Sequence, residues 1–184
     1  MSTRKLVLLL VLLVASAIVL AQDNPVVFTG TAIASQGTSQ SMSARVNIRV
    51  VSYTPTAERQ KLVNTMQKDR DAAFAMLRNS ARGYINIEGH PGRTIEAAWW
   101  LEGSDGRRLV LIAEHQLSDL EKQRGEKQED YPLAVVHVDT DFSGVPVTGE
   151  FFPAVQLTVT GAGFLDVQTN DMNKVVLIDL KRQR

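Results

Sequence analysis

Two stretches near the start of the chain are rich in Val, Ile, Thr and Phe: Val26 to Ala34 and Ala44 to Tyr53. The second alternates, with Val46, Ile48 and Val50 on one side and Asn47 and Arg49 on the other, the period of a half-buried strand. Between them Ser35 to Ser41 holds no apolar residue and several turn formers, which predicts a mobile connection. Thr54-Pro55 then supplies a cap and a first-turn proline, and the spacing of Leu62, Met66, Ala73 and Leu77 predicts one long helix over about 55–79. Arg70 sits where an apolar residue would continue that stripe, so the helix packs by both ends or breaks in two near Lys68.

After Gly83 the pattern is that of strands. Tyr84 to Glu88, Arg93 to Glu102 and Arg107 to Glu114 are separated by Gly89-His90-Pro91-Gly92 and Gly103-Ser104-Asp105-Gly106, both turn compositions. The charged stretch Ser118 to Asp130 reads as a solvated loop or short helix. Further strands are predicted at Leu133 to Thr140, Val145 to Phe151, Val155 to Thr160, Gly163 to Thr169 and Lys174 to Leu180, with the basic tail Lys181 to Arg184 beyond the last. The expectation is a single, mainly β domain over 22–184. It is an antiparallel barrel or sandwich of about ten strands, with one long helix inserted after the second.

The N-terminus has a different logic. Arg4 and Lys5 precede an apolar run from Leu6 to Ala21, shorter than the roughly 20 residues needed to span a bilayer, and a small residue stands before Gln22. This is the pattern of a signal peptide over 1–21, and it predicts an exported chain, periplasmic or secreted, with no stable membrane span once the segment is cleaved. The whole chain has 20 basic and 20 acidic side chains, so it lacks the net field that gathers nucleic acid, and nucleic acid is not an expected partner. It has no Cys, which excludes thiol catalysis, a cysteine zinc site and a lipid anchor on cysteine. A chain of this length buries roughly 70% of its extended surface and needs no staple. The absence of any Asn-X-Ser or Asn-X-Thr fits a bacterial export route.

Several short segments resemble a family of small exported bacterial proteins with no assigned activity. They are Thr29 to Ala32, Ala57 to Gln60, Gly106 to Ala113, Tyr131 to Val138 and Gly149-Glu150. Where such proteins continue Ala-Thr-Asp-Arg-Pro, this chain reads Ala113-Glu114-His115-Gln116-Leu117. The resemblance implies export and a β-rich fold and assigns no catalytic residue.

No nucleophile elbow, phosphate loop, zinc-protease helix motif or calcium loop occurs, so no catalytic residue and no cofactor is expected. His137, Asp139 and Asp141 alternate onto one face of a strand, with Val136, Val138 and Phe142 turned to the core. An imidazole and two carboxylates are suitable ligands for a divalent metal, although one strand alone spans too far for a single coordination sphere. His90 in its turn and His115 beside Glu114 have no activated serine near them in sequence. Trp99 and Trp100 are adjacent, so one indole faces the core and the other the opposite surface. Ala97 and Leu101 share the side of Trp99, predicting that it is buried. Glu96 and Glu102 share the side of Trp100, predicting a partly exposed contact surface of Trp100, Glu96 and Glu102. The function read from the sequence is an exported, non-enzymatic binding domain for a protein, a glycan or a small apolar ligand. The alternative is a metal-dependent hydrolase, or other metal-binding enzyme, using His137, Asp139 and Asp141.

Overall fold

The computed structural model describes residues 25–36, 40–114, 132–160, 165–169 and 174–183. The signal segment, His115 and the charged stretch from Ser118 to Asp130 lie outside the described residues. The elements in chain order are β1 (Val26–Gln36), β2 (Gln40–Val50), α1 (Thr56–Met66), α2 (Arg70–Arg78), β3 (Gly83–Ile87), β4 (Arg93–Glu102), β5 (Arg107–Glu114), β6 (Leu133–Thr140), β7 (Pro146–Val159), β8 (Leu165–Thr169) and β9 (Val175–Gln183). Among the described residues no helix is long and apolar enough to cross a membrane.

Eight antiparallel strands close into a barrel in the order β1, β2, β3, β4, β5, β6, β7, β9 and back to β1. The ninth, β8, pairs with the second half of β7, where Val155 to Val159 runs on past the start of β6. A closed barrel, and not a sandwich, is how these strands bury their apolar sides without leaving edges.

The alternating side chains build two separate cores. Phe28, Val46, Ile48, Val50, Ile85, Ile95, Leu109, Leu111, Val136, Val138, Phe151 and Leu177 fill the barrel interior. The outer faces of β4, β5 and β6, with Ala97, Trp99, Val110, Ile112 and Val135, form a second core with Leu62 and Met66 of α1, Ala73, Phe74 and Leu77 of α2, and Val155 and Leu157 of β7. Strands β4 to β6 are therefore apolar on both faces, which is why their sequences are near-continuous apolar runs. The interior narrows at Gly30 and Gly149. A β-carbon on either would come within 3 Å of the Leu180 side chain, which lies across both positions.

Four expectations are corrected by this architecture. There are nine strands among the described residues, because Val145 to Phe151 and Val155 to Thr160 join into β7 across Pro153. There the pairing with β6 slips by one residue, Leu133 opposite Val155 but Val135 opposite Phe152, and such a bulge accommodates proline within a strand. The single long helix is two helices. Asp69, in an extended conformation, accepts a hydrogen bond from the Ala72 N–H at 3.0 Å and caps α2, so the chain restarts at Arg70 instead of continuing from α1. Thr54 caps neither helix, since its hydroxyl accepts the Ala98 N–H at 3.0 Å and its own N–H donates to the Ala98 carbonyl at 2.7 Å. Finally, Lys181, Arg182 and Gln183 belong to β9, paired with Thr29, Phe28 and Val27 of β1.

Candidate functional site

The contact surface expected from Trp100, Glu96 and Glu102 is divided by a bulge. Along β4 and β5, Ile95 pairs with Ala113 and Ala97 with Ile112, so Glu96 is the extra residue and the facing of side chains reverses across it. Trp100 consequently turns to the barrel interior, half-buried against its core, with its ring 6.3 Å from Tyr53. Glu102, two residues on, lies at the same end of the barrel and is held by Arg107 at 3.1 Å. Glu96 is instead on the helix side, only 6% exposed. Burial, and then the Glu114 carboxylate, push its carboxyl up to about 7, against a smaller opposing effect of Arg78. Trp99 is 7% exposed and belongs to the outer core beneath the helices, as expected of it; Leu101, expected beside it, is exposed.

The end of the barrel that carries Trp100 and Tyr53 is also where β2 ends, where β4 turns into β5 and where β6 turns into β7. Of the nine large apolar side chains exposed among the described residues, five are here: Val51 and Leu101 at 44%, Phe142 at 64%, Val145 at 57% and Val147 at 73%. Val147 is at the start of β7, and the preceding Phe142 and Val145 belong to one ordered turn. Asp141 closes it by accepting hydrogen bonds from the Ser143 hydroxyl at 2.7 Å and the Val145 N–H at 2.9 Å, while its own N–H donates to the Val145 carbonyl at 3.0 Å. The Ser143 hydroxyl, first, and the backbone N–H groups hold the Asp141 carboxyl below its ordinary range. Val147 is the extra residue of a second bulge, between the pairs Asp139 with Thr148 and Thr140 with Pro146. Phe142, expected on the core side with Val136 and Val138, lies past the end of β6 and faces out. The sequence reading missed this group. The signal for it was the turn composition around Ser143-Gly144.

The residues considered as metal ligands have other partners. His137 and Asp139 project from the outer wall of the barrel, but Asp139 takes both its oxygens to Arg108, at 2.7 and 3.0 Å, a forked ion pair. His137 packs edge-on to Phe152 with centroids 5.6 Å apart. Its partial burial, and next the Arg108 charge, lower its pKa and favour the neutral imidazole. Asp141 is beyond the strand, spent in the turn. Among the described residues no group of three or more His, Asp or Glu side chains is arranged to hold a metal ion. His90 is exposed in the turn after β3, its N–H donating to the Ile87 carbonyl at 3.0 Å.

Neither a protein-family model, nor a curated protein, nor a solved structure matches the chain.

Proposed function

We propose that the chain is an exported, non-enzymatic interaction domain that binds its partner at the end of the barrel carrying Trp100, Tyr53 and the Asp141 turn. The observation behind this reading is the gathering of Val51, Leu101, Phe142, Val145 and Val147 at that end, outside either core. Ordinary monomers scatter exposed apolar side chains singly, whereas five of the nine found among the described residues, at one end of the barrel beside an aromatic pair and an ion pair, are the composition of a contact surface. The ion pair is that of Arg107 with Glu102. The turn is held by its own hydrogen bonds, so little ordering is required when a partner lands on it. The packed interior favours a partner at the surface, a protein or a glycan, over a small apolar ligand carried inside. Export rests on the n-region and apolar run of residues 1–21 and on the resemblance to exported bacterial proteins.

The test is retention of periplasmic or extracellular components by immobilised protein, compared with a Phe142→Ser, Val145→Ser, Val147→Ser variant and with Trp100→Ala. Loss of the same retained component in both variants, with unfolding unchanged in the first, supports the reading. Retention indifferent to both, or turnover of a substrate in a broad hydrolase panel, overturns it. Elemental analysis of protein purified without chelator addresses the metal-enzyme alternative, for which stoichiometric metal is required.

A further inference from the structure

The helical layer is joined to the barrel over a group that water would ordinarily keep charged. Glu96 is the extra residue of the β4 bulge, more than nine-tenths buried on the helix side, and its Oε2 has no hydrogen-bond partner. An ionised carboxylate in that position is costly, because burial removes its hydration and nothing replaces one oxygen's share of it. A protonated carboxyl is far cheaper to bury. The charges around it come from each neighbouring element. Glu114 of β5 repels an ionised Glu96, and Arg78 of α2 attracts it, but Arg78 is already shared with Glu114 at 3.6 Å. Arg82, whose N–H donates to the Ile95 carbonyl next to the bulge, has its guanidinium on Glu58 of α1 at 2.5 Å. Among the described residues, neither Arg78 nor Arg82 is therefore dedicated to Glu96.

We propose that Glu96 is the latch of a pH-operated undocking of the α1–α2 layer from the barrel wall, closed when its carboxyl is protonated and released when it ionises. The bulge makes this a local event: it places the group between layers, while the closed barrel behind it keeps its own core. Release uncovers Trp99, Val110, Ile112 and Val135, an apolar wall absent from the surface of the docked form. Because the docked-form value lies above the free one, the docked form is fully favoured below the free value of 4.5, loses ground as pH rises from there to about 7, and loses no more above it.

Hydrogen exchange of the full chain, corrected for the intrinsic pH dependence of exchange, tests the latch in peptides covering α2 and, as reference, β1 and β9. The expected result is that α2 protection falls by about one to two orders of magnitude between pH 5 and pH 8, while β1 and β9 hold theirs. Glu96→Gln should remove the pH dependence and leave α2 protected throughout. Glu114→Gln should move the midpoint down in pH, because a repelling charge is gone and ionisation is easier, and Arg78→Gln should move it up, because an attracting charge is gone. These two shifts also serve if Glu96→Gln does not fold. Protection of α2 that is flat with pH, that changes equally in Glu96→Gln, or that falls together with β1 and β9 would overturn the proposal, as would shifts of the same sign in Glu114→Gln and Arg78→Gln.

Discussion

Trp99 and Trp100 differ in which core they serve, and their substitution separates the two. Trp99 is buried between helices and barrel, so Trp99→Ala is expected to destabilise by about 3 to 5 kcal/mol, the range for truncating a large core aromatic. Trp100 is half-buried at the barrel end against Tyr53, so Trp100→Ala should cost less, about 2 kcal/mol, and should weaken partner binding besides. Denaturant unfolding of both variants measures the difference. Alternation along the strand put the two indoles on opposite sides from sequence alone. What it could not provide was the identity of each side, because both faces of β4 are covered, nor the company of Glu96. Thr94-Ile95-Glu96-Ala97 contains no glycine or proline to mark a bulge, and one extra residue is enough to send Glu96 to the face opposite Trp100.

At the scale of elements, the helical insertion is held by its edges as much as by its apolar stripe. Strand β3 is short and reaches β4 through three register pairs, Gly83 with Ile95, Tyr84 with Thr94 and Ile85 with Arg93. Beyond them the seam is continued by the chain entering and leaving the helices, with Thr54 bonded to Ala98 and Arg82 to Ile95. Thr54→Val keeps the shape and leaves the Ala98 N–H without its hydroxyl, and a loss of about 1 to 3 kcal/mol is expected in urea unfolding. Asp69→Ala removes the cap of α2 and should lose about 1 kcal/mol, with reduced helical signal in circular dichroism. The number and order of elements were largely legible, since Gly- and Pro-rich turns punctuate the chain. Joins were less so: Pro153 reads as a breaker but sits in a strand bulge, and Thr54-Pro55 reads as a cap but serves the sheet. In each case a long-range hydrogen bond decides, and local composition does not contain it.

For the molecule as a whole, the closing seam joins its first and last described strands. Val27, Phe28 and Thr29 pair with Gln183, Arg182 and Lys181, and the Gln183 side-chain amide donates to the Thr29 hydroxyl at 3.3 Å across 154 positions of sequence. Deleting residues 181–184 removes those pairs and should lower stability by about 2 to 3 kcal/mol, as a shift of the urea midpoint with most of the fold retained. The same seam gives the protein an order in time. A chain delivered from its N-terminus presents β1 first and must wait for nearly all the rest before β1 gains its second neighbour, and closing so long a loop adds an entropic barrier as well as a delay. Until β9 has been made there is no closed barrel, so whatever handles the growing chain holds an open sheet or an extended polypeptide, with the barrel's interior still facing water.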